Sequence, residues 1–332
     1  MTKPQVPELR DPHTIDLFTG EADALRPNQK TLTPTTRRMI ESSTAIIQDP
    51  PDKIDFLHAV LCQVGMPRKR TEARIFERRS GSTSMLLEAG RLWHRGEWQE
   101  QPLPYGTKPR LVMIHISSEA IRTQNRQIEV GGSVREFLLR LGIDTSGGKK
   151  GGYTGFKQQM EALAACRLTL GMSLDNRDVT INTQPISRFD AWFNQDGKQQ
   201  SFWSGSMELS QQFYETLISH AVPLDSRALA ALKHSSLALD IYTWLAHRLY
   251  RITKSEGVKL TWTNLRDQFG QEYTDPKNFK HDFLAALTQV KSQYPDARIE
   301  KTDGGIILKC SPPPIRKTQI QVLKNLRGIA TP

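Results

Sequence analysis

The stretch "TWTNLRDQFGQEYTDPKNFKHDFLAALTQVKSQYPDARIEKTDGGIILK", from Thr261 to Lys309, carries the clearest fold signals of the chain. A short helical pattern ends at Gly270, and Asp275 followed by Pro276 is typical of an N-cap and a first helical position. Apolar residues then recur every three or four positions from Phe279 to Val290, as on one face of a helix. An Asp-Gly pair between two short apolar runs favours a β-hairpin. The stretch therefore predicts helix, turn, helix and hairpin.

The same order occurs earlier in the chain. Ser133 and Glu136 in "SVREFLLRLG" form a capping-box pattern, and Gly142 is a plausible C-terminal cap. A glycine-rich bend leads into a second helical stripe that starts at Phe156, and the alternating runs "RLTLGMSL" and "DVTINTQ" follow it as a hairpin. Phe156-Lys157 matches Phe279-Lys280 in the later copy. We therefore predict an α+β protein with two tandem winged-helix modules, each ending in a hairpin that serves as its wing.

Composition suggests how the rest of the chain is divided. The first residues are polar and rich in proline, which is typical of a flexible arm. The Asp49-Pro50-Pro51 break predicts two short helices, one on either side of it. The expected segments are a disordered arm at 1–36, a helical segment at 37–74, the first winged-helix domain at 75–209, the second with its connecting helices at 210–317, and a basic tail at 318–332.

The charge balance points to an acidic partner. Lys and Arg outnumber Asp and Glu by 45 to 35 in 332 residues, and the sequence pI is near 9.5. Such a balance favours a polyanion such as nucleic acid. The three cysteines lie far apart, so neither a zinc knuckle nor a disulfide framework is indicated. No apolar run approaches the length of a membrane-spanning helix, and the N-terminus lacks the apolar core of a signal peptide, so we expect a cytoplasmic protein off the membrane.

Several strings resemble a known family. "EFLLRLG", "YTGFKQQMEALAACRLT" and especially "FYETLISHAVPLD" with "SLALDIYTWLAHRL" are similar to the plasmid-encoded RepA-type replication initiators, over roughly Ile75 to Lys317. The resemblance implies two winged-helix domains that bind double-stranded repeats, called iterons, in a bacterial plasmid origin and open adjacent A·T-rich DNA. It also implies the host initiator, the replicative helicase and a second copy of the chain as partners. A winged-helix repressor of a plasmid or phage operon is the alternative.

The glycine bend from Gly147 to Gly155 raises the question of nucleotide binding. A P-loop needs Lys followed by Ser or Thr after its last glycine, whereas here both lysines precede the last glycines. Contact with DNA phosphate fits better, because hydroxyls and free helix N–H groups follow. A flexible bend with solvated lysines remains the alternative. The phosphate-contact candidates are Lys149, Lys150, Tyr153 and Thr154.

The second helix of each module offers a polar face for base contact. Gln and Asn side chains can pair with adenine in the major groove, and Lys can contact guanine or phosphate. An ordinary solvated helix face is the alternative for each. The candidates are Lys157 and Gln158 in the first module, and Lys277, Asn278, Lys280 and His281 in the second. The hairpins add Asn176, Arg177, Arg298 and Lys301 as weaker phosphate candidates.

The sequence lacks an enzyme signature. Tyr250 and Lys254 have the Y-x-x-x-K spacing of a nicking tyrosine, but the eight histidines are scattered and none forms a His-x-His pair for a metal. Tyr250 also ends an apolar helix, where a core role is more common. We expect a DNA-binding protein without catalysis, cofactor or metal. A nicking or ATP-driven enzyme is the third reading.

One short peptide in the arm suggests a further partner. "TIDLF", from Thr14 to Phe18, is similar to the Q-L-x-L-F peptide that binds bacterial sliding clamps, although Thr14 replaces Gln. An apolar peptide on a flexible arm is a reasonable ligand for a groove. A tether that holds the arm on its own domain is the alternative. The candidate clamp-binding residues are Ile15, Leu17 and Phe18.

Overall fold

The structure is a computed structural model, and it describes residues 33–94, 96–131, 133–143, 145–146, 152–174, 177–189 and 206–319. Its elements up to residue 189 are α1 (Pro34–Gln48), β1 (Ile54–His58), α2 (Ala59–Gln63), β2 (Ile75–Ser80), β3 (Thr83–Glu88), β4 (Arg91–His94), β5 (Glu97–Glu100), α3 (Thr107–Thr123), β6 (Gln127–Glu129), α4 (Val134–Arg140), α5 (Gly152–Ala165), β7 (Arg167–Leu174), β8 (Arg177–Thr183) and β9 (Ile186–Phe189). The elements that follow are β10 (Ser206–Leu209), α6 (Gln211–His220), β11 (Ala221–Asp225), α7 (Ser226–Leu232), α8 (Ser236–Arg248), β12 (Val258–Thr261), α9 (Trp262–Phe269), α10 (Pro276–Gln293), β13 (Ile299–Thr302) and β14 (Gly305–Leu308).

The predicted α+β class is confirmed. Helices pack around several small antiparallel sheets, with strand orders β1-β11, β2-β3-β7-β8, β4-β5, β6-β10-β9 and β12-β14-β13. Among the described residues, no helix combines the length and apolarity needed to cross a membrane.

The C-terminal copy has the predicted order of helix, turn, helix and hairpin. Strand β12 enters α9, and β14 pairs with both β12 and β13, so the hairpin closes a three-stranded sheet beside the two helices. The Asp303-Gly304 pair forms the hairpin turn, as predicted. Gly305 is required behind it, because a Cβ there would lie 1.9 Å from the Leu260 carbonyl oxygen.

The N-terminal copy also has helix, turn, helix and hairpin in order, but the role predicted for its hairpin is wrong. Strands β7 and β8 do not join the strand that precedes α4. They extend the β2-β3 hairpin into a four-stranded sheet instead. The reason is packing, since Leu168 and Leu170 are buried and lie opposite Leu87 and Met85 of β3. The sheet that matches β12-β14-β13 is β6-β10-β9, so β9 and β10 correspond to the hairpin of the second copy.

The N-terminal segment also differs from its prediction of two helices. Helix α1 forms, but residues 54–58 form strand β1, which pairs with β11, and only residues 59–63 form the helix α2. The apolar spacing of Ile54 and Leu57 fits a strand as well as a helix over so short a run, and the partner strand decides the outcome. Helix α1 begins at Pro34, inside the arm predicted for 1–36, while residues 1–32 and 320–332 lie outside the described residues.

Helix α8 lies at the centre of the core. It is buried along nearly its whole length and contacts α2, α3, α7 and α10. Tyr242 and Trp244 are fully buried, and Trp244 packs edge-on against Phe269 of α9 at 5.2 Å between ring centroids. Buried residues of both halves belong to one hydrophobic cluster, so the two modules share one core.

Candidate nucleic-acid interface

Helix α10 carries four of the predicted DNA contacts. It begins where the sequence predicts, since the Asp275 carboxylate accepts the Lys277 N–H at 2.7 Å and Pro276 occupies the first helical turn. Phe279 and Phe283 of the apolar stripe are buried. One face of the helix is therefore fixed in the core, and the face opposite it remains open in the N-terminal half.

That open face is polar and mainly basic. Lys277, Asn278 and His281 are exposed. Lys280 is half-buried, with its Nζ 4.9 Å from the centroid of the Trp262 ring, an arrangement that holds the ammonium group at the edge of the surface. The free N–H groups at the start of a helix also favour negative charge. The structure thus brings together the four residues that the sequence predicted for this helix.

Tyr273 packs the turn before α10 against that helix. The Tyr273 ring lies 5.5 Å from that of Phe279, and its hydroxyl donates to the Asp282 carboxylate at 3.1 Å. Burial, and then the bond to Asp282, raise the pKa of the Tyr273 hydroxyl, so this group remains a neutral donor. The same Asp282 accepts from His281 at 3.1 Å, which places one negative charge among the cations of the open face.

The same turn is attached to the N-terminal half of the molecule by ion pairs. The Glu272 carboxylate accepts from the guanidinium groups of Arg68, at 2.8 Å, and Arg78, at 3.2 Å. Arg68 also donates to the carbonyl of Phe269 at the end of α9. Since α10 follows this turn directly, the two arginines help to set the position of the candidate recognition helix.

A second carboxylate completes this buried network. Asp240 of α8 accepts two hydrogen bonds from Arg110, at 2.7 and 2.8 Å, and lies 3.9 Å from both Arg68 and Arg78. The network therefore joins three guanidinium groups to two carboxylates, across α3, α8 and the turn before α10. Removing one partner of such a pair leaves a buried charge uncompensated, which is strongly destabilising.

The surplus positive charge in this network affects Arg78. Burial, followed by the neighbouring Arg68, lowers the pKa of Arg78 to about 10, while Asp240 and Glu272 oppose the shift. Arg78 is therefore still a cation at neutral pH. It also donates to the carbonyls of Gly65 and Met66 at 2.9 and 3.3 Å, and its Nε–H donates to the Gln271 side chain at 3.4 Å.

Helix α5 of the first module is more covered than α10. Tyr153 and Gln158 are exposed, but Thr154 and Lys157 are half-buried, and Lys157 lies 3.8 Å from Glu161. Gln159 is buried, and its side chain accepts the Tyr105 N–H at 2.7 Å. The structure places the four predicted residues of this helix in its first two turns. Lys149 and Lys150 of the glycine bend lie outside the described residues.

The remaining hairpin candidates lie on two different sheets. Arg298 precedes β13 and Lys301 lies within it, and both are exposed. The Trp262 indole N–H donates to the Asp303 carbonyl at 3.0 Å, so the turn of this hairpin is attached to the start of α9. Arg177 is exposed on the four-stranded sheet, not beside α5, and Asn176 lies outside the described residues.

Sequence reasoning missed the buried ion network. Asp240 gave the best signal for it, as a lone carboxylate inside the apolar run "SLALDIYTWLAHR", where an unpaired charge would be costly. Nothing in the sequence distinguishes Arg68, Arg78 and Arg110 from the other arginines. The proposed clamp residues Ile15, Leu17 and Phe18 lie outside the described residues. Within the described ranges, no cluster of three His, Cys, Asp or Glu residues could hold a metal ion.

Part of the chain matches a known protein family. Residues 103–264 match a family model described as plasmid encoded RepA protein, which confirms the resemblance drawn from the sequence. No curated protein matches the chain. A solved structure entitled "Crystal structure of SeMet derivatives of domain2 and domain 3 of RctB" is similar at 9% sequence identity and a TM-score of 0.45, covering 75% of this chain and 96% of that chain.

Proposed function

Because residues 103–264 match a family model described as plasmid encoded RepA protein, we propose that this protein initiates plasmid replication by binding double-stranded repeats in the plasmid origin. In this proposal both helix-turn-helix modules are winged helices that bind one repeat together. Binding opens the adjacent A·T-rich DNA and brings in the host initiator and helicase. The protein acts in the bacterial cytoplasm and needs no cofactor or catalysis of its own.

The observation that best supports DNA binding is the open basic face of α10. Lys277, Asn278 and His281 are exposed on one helix that is anchored in the core by its other face. An exposed amide among cations on an anchored helix matches what major-groove reading needs, namely a rigid support, a base-pairing group and phosphate contacts. The net charge of +10 supports a polyanionic partner for the chain as a whole.

The test is binding to the DNA that flanks the protein's own gene. We expect several direct repeats of about two helical turns, each giving one footprint that covers contacts from both modules. If six to ten phosphates are contacted, the logarithm of the affinity should fall against the logarithm of salt with a slope of about −5 to −9. A flat salt dependence, or equal affinity for unrelated DNA, would contradict the proposal.

The layout of the sites separates initiation from repression. Direct repeats beside A·T-rich DNA, with strand opening detected by permanganate reactivity when the protein is added, support an initiator. A single inverted repeat over a promoter without strand opening supports a winged-helix repressor. Metal-dependent strand cleavage or nucleotide turnover by the purified protein would overturn the non-catalytic assignment.

We also propose the sliding clamp as a partner of the N-terminal arm, through "TIDLF". The test is a pull-down of the clamp by the full chain, compared with a Leu17→Ala/Phe18→Ala variant. The doubly substituted protein should lose the clamp and keep its affinity for the repeats. Clamp capture that is absent, or unchanged by the substitutions, would refute this part of the proposal.

A further inference from the structure

A basic cavity lies where the end of α8 meets the segment before β12, and none of the residues assigned to DNA reading lines it. Its volume is about 310 Å³, near the lower end of the range for small-ligand sites. No carboxylate lines it within the described part of the chain. The lining residues that matter here are Trp244, His247, Arg248, Arg251 and Lys254.

The three cations of this cavity have no acidic partner among the described residues. Arg248, Arg251 and Lys254 form no salt bridge with any residue that the structure describes. Arg251 donates to the His247 carbonyl, and its guanidinium lies 4.2 Å from the Tyr250 ring centroid. Arg251 and Lys254 are exposed, so their charges are available to a ligand that enters the cavity.

The neutral groups of the cavity also favour a hydrogen-bond acceptor. Trp244 is 1% exposed, and its indole N–H has no acceptor among the described residues. A buried donor without a partner is unusual and costs free energy until an acceptor is supplied. Burial, followed by Arg251 and Arg248, lowers the pKa of His247 to about 4, so its imidazole is neutral at pH 7.

We propose that this cavity binds a phosphate group, either a backbone phosphate of bound DNA or the phosphate of a free ligand. Arginine offers several N–H donors in a planar fork that suits phosphate oxygens, and lysine adds a point charge. We further propose that the unpartnered N–H of Trp244, a residue of the cavity wall, becomes one more donor when a ligand binds. Both sources present the same phosphate oxygens to the cavity. The two arms of the test below distinguish them.

The first arm of the test measures binding of pyrophosphate to the full chain by isothermal titration calorimetry. The cavity variant is Arg251→Gln/Lys254→Gln. Its matched control is Arg70→Gln/Lys291→Gln, which removes the same charges from exposed positions outside the cavity lining. If the ligand is free phosphate, the cavity variant should bind pyrophosphate at least about tenfold more weakly, since each lost charged hydrogen bond has a large effect. The control should bind like the wild type.

The second arm measures the salt dependence of binding to a duplex. If the cavity holds a DNA phosphate, the slope of log affinity against log salt should become shallower by about one in the cavity variant and stay unchanged in the control. Equal behaviour of the two variants in both arms would overturn the proposal. The pyrophosphate arm needs no origin DNA, so its outcome is independent of whether the protein recognises repeats.

A third variant tests the buried donor without changing any charge. Trp244→Phe retains an aromatic ring against Phe269, removes the indole N–H and also makes this buried side chain smaller. It should weaken binding several-fold in whichever arm responds to the cavity variant. Urea denaturation of each variant establishes that the folded state persists. Unchanged affinity in folded Trp244→Phe protein would remove Trp244 from the proposed site.

Discussion

The two helix-turn-helix modules share local sequence signals but differ in how far the rest of the chain covers their second helices. Helix α10 keeps an open polar face and follows a turn that is attached by Glu272 to two buried arginines. Helix α5 is largely covered, with Gln159 bonded to the Tyr105 N–H, and the Lys108 ammonium donates to the Gly152 carbonyl at 3.1 Å. We therefore propose that the second module reads sequence while the first mainly positions the protein on DNA.

The largest expected effect comes from Asp240, which joins the halves to which the two modules belong. Asp240→Ala leaves the guanidinium of Arg110 without its bidentate partner, and should lower the free energy of unfolding by about 3 to 5 kcal/mol. Urea denaturation followed by circular dichroism measures this loss. The control Asp282→Ala removes an exposed carboxylate and should cost less than about 1 kcal/mol. Similar losses in the two variants would mean that the buried network does not hold the halves together.

The next largest effect compares how much each module contributes to DNA recognition. Asn278→Ala should weaken binding to the native repeat by about 1 to 3 kcal/mol and relax the preference for adenine at one position. Gln158→Ala should cost less, because much of its helix is covered by other elements. Fluorescence anisotropy at fixed salt, with native and singly substituted repeats, measures both. A larger loss for Gln158→Ala would reverse the roles assigned to the modules.

Acid should destabilise the folded protein through its buried histidines, and His115 tests this in the first module. His115 of α3 lies 5.2 Å from the Phe137 ring of α4, and burial lowers its pKa to about 4. The unfolded chain therefore binds a proton that the folded chain rejects between about pH 6.5 and pH 4, so stability falls as the pH decreases through this window. From pH 7 to pH 5 this group accounts for about 1 to 2 kcal/mol.

The substitution His115→Gln should make the acid-induced loss of stability smaller by that amount, as measured by urea denaturation at the two pH values. His281→Gln, which removes a histidine that is 82% exposed, serves as the control and should leave the wild-type pH dependence in place. If both substitutions changed the pH dependence equally, the acid sensitivity would not originate at the contact between His115 and α4.

The smallest effect compares the helix caps of the two modules. Ser133 accepts the Glu136 N–H at 3.1 Å, and Asp275 accepts the Lys277 N–H at 2.7 Å. Replacing either by Ala should cost about 1 kcal/mol, with Asp275 a few tenths higher because its charge also favours the helix N-terminus. Urea midpoints measure the two losses. A negligible loss at Asp275 would show that the attachment of Glu272, and not the cap, fixes the start of α10.

Local signals predicted the elements better than their pairing. Asp275, Pro276 and the Asp303-Gly304 turn lie where their residue types indicate, because caps and tight turns depend on neighbours in sequence. The partner of β7 was missed because Leu168 and Leu170 show only that one strand face is buried. Which strand covers that face is a long-range property that alternation does not encode.

The candidate site also has one part that the sequence predicted and one part that it did not. The polar face of α10 followed from helical periodicity, and the structure leaves Lys277, Asn278 and His281 exposed. The arginines that hold the turn before it come from residues 68 and 78, which are 204 and 194 positions away from Glu272. A buried ion pair of this kind depends on the tertiary fold, so its members look like ordinary surface residues in the sequence. The lone Asp240 was the one visible exception.

The buried ion network also limits how such modules can be exchanged between proteins. A chimera that joins this N-terminal half to the second module of a relative would enclose Arg68, Arg78 and Arg110, and would need carboxylates at the places of Asp240 and Glu272 to compensate them. Functional recombination should therefore move these five side chains as one unit. A crossover placed between the second module and the rest of the chain would yield unstable protein wherever the relative lacks these carboxylates, even if the candidate DNA-reading surfaces are intact.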